Sequence, residues 1–105
     1  MRIYGEERPI LVFGKKVNRM NLYIDLEINK NEVIREFSQE IDPIELKWHR
    51  DDEDRIVEAI EETDWMIQLD NQLPKNLNQK TEIPRHVFHR IIKGTGSIKI
   101  KIIKL

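Results

Sequence analysis

The chain has 105 residues, a net charge of −1 and no cysteine. This length accommodates one hydrophobic core, and the lack of cysteine excludes disulfides, zinc–thiolate sites and thiol catalysis. The near-neutral charge favours neither a nucleic-acid surface nor a membrane surface, and no apolar run approaches the roughly 20 residues of a membrane helix. Residues 1–7 lack the apolar segment of a secretory signal, so we expect a single cytoplasmic domain spanning 1–105.

The N-terminal part begins with short extended patterns. A brief apolar run at 10–13 is closed by Gly14. Residues 22–28 then alternate apolar and polar side chains, which is the period of a half-buried strand. The segment Asn29-Lys30-Asn31 is typical of a turn.

The segment that follows this turn is ambiguous. Three apolar side chains recur at helical spacing: Val33, Phe37 and Ile41. Asn31 is available as an N-cap, and Asp42-Pro43 is a stop signal. We interpret 31–41 as a short helix, although Val33-Ile34 also suits a strand.

From Pro43 onward, short strands with turn signals recur at regular spacing. We predict strands at 44–49, 55–60, 65–69, 81–84, 87–92 and 97–105, with an irregular connection at 73–80. Such a series favours an all-β sandwich or barrel. In the last strand, isoleucines occupy one face, and Lys99 and Lys101 occupy the other. We interpret these lysines as charges that discourage pairing at a sheet edge.

Three side chains of the second half suit a metal site. His49 ends one predicted strand, Asp54 precedes the next, and His89 lies within a later one. In a closed barrel, residues on one face of each strand share the interior. Two histidines and a carboxylate occupy one face of a coordination sphere and leave positions open, which suits iron and also manganese, nickel or zinc.

These residues resemble the two motifs of the cupin family. The segment Lys47-Trp48-His49 aligns with its two spaced histidines, and Asp54 aligns with its glutamate. The segment from Pro84 to His89 has the spacing of its second motif, with His86 at the glycine position. The resemblance covers 44–105 and extends to small cupin-like proteins of bacteria and tailed phages. It implies a cupin-like β-barrel or jelly roll, with a divalent metal or small polar ligand held at His49, Asp54 and His89.

The same motif departs from the family at Lys47, which replaces an expected ligand with an amine that cannot bind metal while protonated. If Lys47 and His49 share a face by alternation, Lys47 enters the pocket and pairs with an acid or receives an anionic ligand. We therefore include Lys47, Trp48, Arg50 and Arg55 as candidate ligand-binding residues. Trp48 also suits simple packing, and Asp54 also suits an ion pair with Arg50 or Arg55.

Two functions stay open from the sequence. One is a cupin-like protein that binds a divalent metal or a small polar molecule, with enzymatic activity undecided. The other is a non-catalytic interaction module with a degenerate pocket, forming a homo-oligomer through the apolar face of 98–105. Binding to nucleic acid or to a membrane is not expected, because basic residues are not in excess.

Overall fold

The computed structural model describes residues 23–105 and the backbone of two short strands, β1 (Leu11–Val12) and β2 (Lys15–Lys16), which pair antiparallel. The rest of the run predicted at 10–13 lies outside the described residues. The remaining elements are β3 (Ile24–Asn29), β4 (Glu32–Phe37), the 3-10 turn η1 (Pro43–Glu45), β5 (Arg55–Ala59), β6 (Met66–Leu69), β7 (Lys75–Asn76), β8 (Thr81–Ile83), β9 (His89–Ile92) and β10 (Ile98–Lys104). Within 23–105, no helix has the length and apolar character needed to cross a membrane.

The strands form two larger antiparallel sheets. One has the order β3-β4-β10-β5-β8, and the other has the order β7-β6-β9. Side chains from both sheets form one apolar cluster, which includes Phe37, Val57, Ile67 and Ile100. The predicted all-β fold is therefore confirmed, because inward side chains of alternating strands bury a common core.

Strand β4 occupies the segment that we interpreted as a helix, so that interpretation is wrong. Val33, Arg35 and Phe37 are buried, while the residues between them are only partly buried, which is the period of a strand. Strand β4 pairs with β3 on one side and β10 on the other. Backbone pairing with β3 and with the distant β10 stabilises a strand here. The helical spacing of only three apolar residues is a weaker local preference.

Strand β10 lies at the centre of the larger sheet, between β4 and β5. Its alternating isoleucines are buried as the sequence predicts, but its lysines do not protect an edge. Instead Lys99 lies opposite Glu36 and Lys101 opposite Glu58, and opposite charges in such positions stabilise a sheet. The apolar face of β10 belongs to the core and is not available to a partner.

Strand β3 is present as predicted, but its apolar side chains are exposed and do not face the core. It lies at the edge of the described sheet, and Ile24, Leu26 and Ile28 are 52–63% exposed. The inward position between them is taken by Asp25, whose carboxylate binds Arg35 of β4 at 2.8 and 2.9 Å. The apolar alternation of this strand therefore faces outward in the single chain.

The segment 44–49 does not form the predicted strand. Asp42 caps η1 by accepting a hydrogen bond from the backbone N–H of Ile44, and the chain then continues without regular structure as far as His49. The strands predicted at 55–60, 65–69, 81–84, 87–92 and 97–105 are all present with shorter bounds. The irregular connection at 73–80 contains the two-residue strand β7.

Candidate metal centre

His49 and His89 meet across an isolated antiparallel bridge. The backbone N–H of His49 donates to the carbonyl of His89 at 3.0 Å, and the reverse bond measures 2.8 Å. Residues that face each other in this way project their side chains to the same side. Both imidazoles are consequently buried, with ring centroids 4.3 Å apart.

Asp51 completes the cluster from a position two residues after His49. Its side chain is buried, and Oδ2 lies 3.3 Å from Nε2 of His89 and 3.4 Å from Nη1 of Arg55. One candidate ligand atom from each of His49, Asp51 and His89 lies within 4.8 Å of the other two. The structure thus brings two imidazoles and one carboxylate together inside the fold.

Each imidazole is oriented by the backbone carbonyl of the residue two positions before it. Nδ1 of His49 lies 3.0 Å from the carbonyl oxygen of Lys47, and Nδ1 of His89 lies 2.9 Å from that of Val87. A carbonyl oxygen only accepts, so Nδ1 must carry the hydrogen in each ring. In the neutral rings the lone pair is then on Nε2, which is the tautomer that a metal requires when a backbone group orients the ligand.

The charge states also suit a cation. Burial, helped by the neighbouring His89, lowers the pKa of His49 to about 4, so this imidazole is neutral at pH 7. Burial alone would raise the pKa of Asp51, but the neighbouring His89 and the charge of Arg55 hold that pKa well below its usual range. A carboxylate and a neutral imidazole coexist at neutral pH, as metal ligation demands.

A small cavity lies beside the three groups. Its lining consists of Arg35, Phe37, His49, Asp51, Arg55, Val57, Ile67, Ile83, His89, Ile91, Ile100 and Ile102. The space open to the centres of water-sized molecules is about 30 Å³, and one water needs roughly 10–15 Å³. The cavity therefore has room for an ion with a water or a small polar group, surrounded mainly by apolar walls.

The acid in this cluster is not the one that the family spacing indicates. Asp54 is exposed, and its carboxylate accepts a hydrogen bond from the backbone N–H of Arg85 at 2.7 Å. Asp54 is therefore not part of the buried cluster. The suggested ion pair between Asp54 and Arg55 is also not formed, because Arg55 pairs with Glu53 and Asp51. The i, i+2 spacing of His49 and Asp51 was the signal available in the sequence.

The four candidate ligand-binding residues lie in different environments. Lys47 is exposed and does not line the cavity; the alternation argument is wrong there because residues 46–48 do not form a strand. Trp48 and Arg50 are exposed as well. Arg55 alone of the four is buried at the cavity. Arg35, which the sequence did not single out, lines the cavity too.

Neither a protein-family model nor a curated protein matches the chain. Among solved structures, the DMSP lyase DddQ from Ruegeria pomeroyi DSS-3 matches 95% of this chain with a TM-score of 0.68 and 8% identity. The cobalt(II) form of HppE in complex with Tris buffer matches 94% with a TM-score of 0.62 and 16% identity. A cupin 2 conserved barrel domain protein from Leptotrichia buccalis matches 79% with a TM-score of 0.59 and 16% identity.

The fold of this chain is cupin-like. The predicted jelly-roll architecture is thereby confirmed, and the chain covers 56%, 62% and 39% of those three proteins respectively. At such identities the likeness concerns the fold. The cupin-like scaffold explains why His49 and His89 face one interior, since its antiparallel strands direct alternate side chains inward.

Proposed function

We propose that this cupin-like chain binds one divalent transition-metal ion through His49, Asp51 and His89, with open coordination positions that receive a small polar ligand. One observation carries the proposal. Both imidazoles are held by backbone carbonyls in the tautomer that leaves Nε2 with a lone pair, beside a buried carboxylate. Three electron-pair donors so close together repel one another unless a cation or a proton lies between them.

The donor set favours particular metals. Two imidazoles and one carboxylate on one face of the ion suit non-haem iron(II), while manganese, nickel and zinc remain compatible. HppE, one of the proteins similar in fold, has been crystallised with iron(II) and with cobalt(II). The absence of cysteine removes the soft ligands that would favour copper(I) or structural zinc.

The surrounding residues define what such a centre can do. A bound ion supplies Lewis acidity and, for iron, redox chemistry. The apolar walls formed by residues such as Val57, Ile67 and Ile100 restrict water. Hydrogen bonds from the two Nδ1 atoms keep the rings in place when a ligand exchanges. Oxygenation, isomerisation and elimination on a small polar molecule are the reaction classes that we infer for an active form.

Calorimetric titration of chelator-treated protein tests the proposal. Iron(II) under anaerobic conditions, manganese, nickel and zinc are each added to the wild type, to Asp51→Asn and to Asp54→Asn. We expect one ion per chain, loss of binding in Asp51→Asn, and unchanged binding in Asp54→Asn, whose exposed carboxylate is the matched control. No binding by the wild type, or equal binding by the two variants, would refute the centre.

A second candidate is self-association through the outer face of β3. Its exposed residues Ile24, Leu26 and Ile28 form an apolar row of the kind that marks interaction surfaces. Because this apolar row lies on the face of the strand, we infer face-to-face packing with a second copy. A wild type that sediments as a monomer at about 100 µM, or a dimer that persists in Leu26→Lys, would argue against it.

A further inference from the structure

Two buried arginines line the cavity next to the proposed metal ligands. Arg35 comes from β4 and Arg55 from the start of β5. Both are about 5% exposed as whole residues. Most other lining side chains are apolar, so the polar character of the cavity comes from these arginines and the three donors. Guanidinium groups in such a site recognise anions, especially carboxylates.

Arg55 directs one edge of its guanidinium toward the centre. Nε and Nη2 both lie 2.6 Å from Oε2 of Glu53. Nη1 is 3.4 Å from Oδ2 of Asp51, a distance longer than that of a charge-assisted hydrogen bond. Arg35 differs, because two of its nitrogens bind Asp25 and its guanidinium carbon lies 3.7 Å above the ring of Tyr23. Nη1 of Arg55 is therefore the donor best placed for an additional acceptor.

The three proposed ligands do not neutralise a divalent ion. Arg35 is balanced by Asp25, and Arg55 by Glu53. Among the three proposed ligands Asp51 supplies the one negative charge, since an imidazole that binds a metal ion is neutral. A divalent ion bound there leaves one positive charge in a buried site, and an uncompensated buried charge is costly.

We infer that the ligand completing this centre is a small monoanion, namely a carboxylate that contacts both the ion and Nη1 of Arg55. The inference rests on the proposed metal site and specifies its ligand class. The carboxylate supplies the missing negative charge, and its two oxygens suit one metal position and one guanidinium edge. Because the cavity space of about 30 Å³, which equals two to three waters, must also hold the ion, the bound group is no larger than formate or acetate.

Visible absorption of the cobalt(II)-loaded protein tests this ligand class. Cobalt(II) bands report the number and type of ligands, and they require no enzymatic activity. We expect acetate and formate to change the spectrum saturably, whereas acetamide, which has nearly the shape of acetate without its charge, binds at least about tenfold more weakly. Equal effects of acetate and acetamide, or no effect of either anion, would overturn the inference while leaving the metal site intact.

Two variants identify the recognising residue. Arg55→Gln removes the guanidinium at the cavity, and Arg85→Gln removes an exposed guanidinium outside it. We expect Arg55→Gln to weaken acetate binding about tenfold or more, and Arg85→Gln to leave it unchanged. Cobalt loading is measured first in each variant. Absence of cobalt binding in the wild type would overturn the proposed function and the inference with it, whereas equal acetate affinity in two loaded variants would overturn the role of Arg55.

Discussion

His49 and His89 exchange both backbone hydrogen bonds although they are far apart in the sequence. This single bridge determines the spacing of the two imidazoles, because no regular strand continues from His49 in either direction. The outer side of the bridge is reinforced by side chains. Arg90 lies over the ring of Trp48 at 4.9 Å, and Arg50 lies over that of Phe88 at 5.4 Å.

Removal of the outer cation–π contact should loosen the bridge. We predict that Trp48→Ala lowers the free energy of unfolding by about 1 kcal/mol, the value of a partly exposed cation–π pair, and lowers metal affinity less than tenfold. Leu73→Ala, at an 86% exposed position, is the control and should change neither quantity. Urea denaturation and metal titration measure the two effects. A Trp48→Ala protein with unchanged metal affinity and stability would show that the contact does not support the bridge.

Replacement of the buried acid should have the largest effect on the metal. We predict that Asp51→Asn reduces affinity by more than about 100-fold, since even groups that merely orient a ligand contribute 10–100-fold. The amide retains the shape but loses the negative charge. Competition with a chromogenic chelator gives the affinity, and circular dichroism verifies folding. A folded Asp51→Asn protein that retains wild-type affinity would remove Asp51 from the ligand set.

The metal-free protein should lose stability as the solution becomes acidic. The pKa of His49 is lowered from 6.5 to about 4 in the folded state, so the unfolded chain binds the proton more readily. The free energy of unfolding should therefore fall as pH decreases from about 6.5 to about 4, by roughly 3 kcal/mol at the acidic end of that range.

Urea denaturation of chelator-treated protein at several pH values between 7 and 4.5 measures this dependence. His49→Gln should reduce the slope of the unfolding free energy against pH, because it removes the group that titrates. His86→Gln, which changes an exposed imidazole outside the buried cluster, is the control for the substitution itself. Parallel slopes for the wild type and His49→Gln would contradict the assignment.

Gly94 should tolerate no side chain. A Cβ atom there would lie 2.7 Å from the backbone nitrogen of Trp65 and closer still to the carboxylate of Asp64. That carboxylate accepts hydrogen bonds from the backbone and hydroxyl of Thr95, which hold the turn against the start of β6. We predict that Gly94→Ala costs more than about 2 kcal/mol of stability, in the range of overpacked sites.

Gly96 is the matched control because a Cβ there meets open space, although φ is +74°. Gly96→Ala should cost about 1 kcal/mol through backbone strain alone. Thermal denaturation distinguishes the two glycines. If Gly96→Ala proved as damaging as Gly94→Ala, the close approach to Trp65 would not be the determining factor.

The sequence alone determined the all-β class and most strands after residue 54, since alternating side chains are a local property that pairing preserves. It also predicted that His49 and His89 lie together inside the fold, which the structure shows. The family motif indicated Asp54 because it counts residues along the chain. Which carboxylate enters the buried cluster depends on the side of the backbone from which its side chain projects, and that carboxylate belongs to Asp51. Lys47 was expected to face the pocket because strand alternation was assumed, but residues 46–48 do not form a strand.

Only the tertiary structure decided the remaining features. Strand β4 replaced the predicted helix because it pairs on both sides, and β10 became a central strand although its lysines suggested an edge. The buried cluster of His49, Asp51 and His89 depends on one bridge between distant residues, and the cavity is lined by arginines from two strands. Such contacts are set by how strands pair across the whole chain, and a local pattern contains no information about which strand becomes the neighbour.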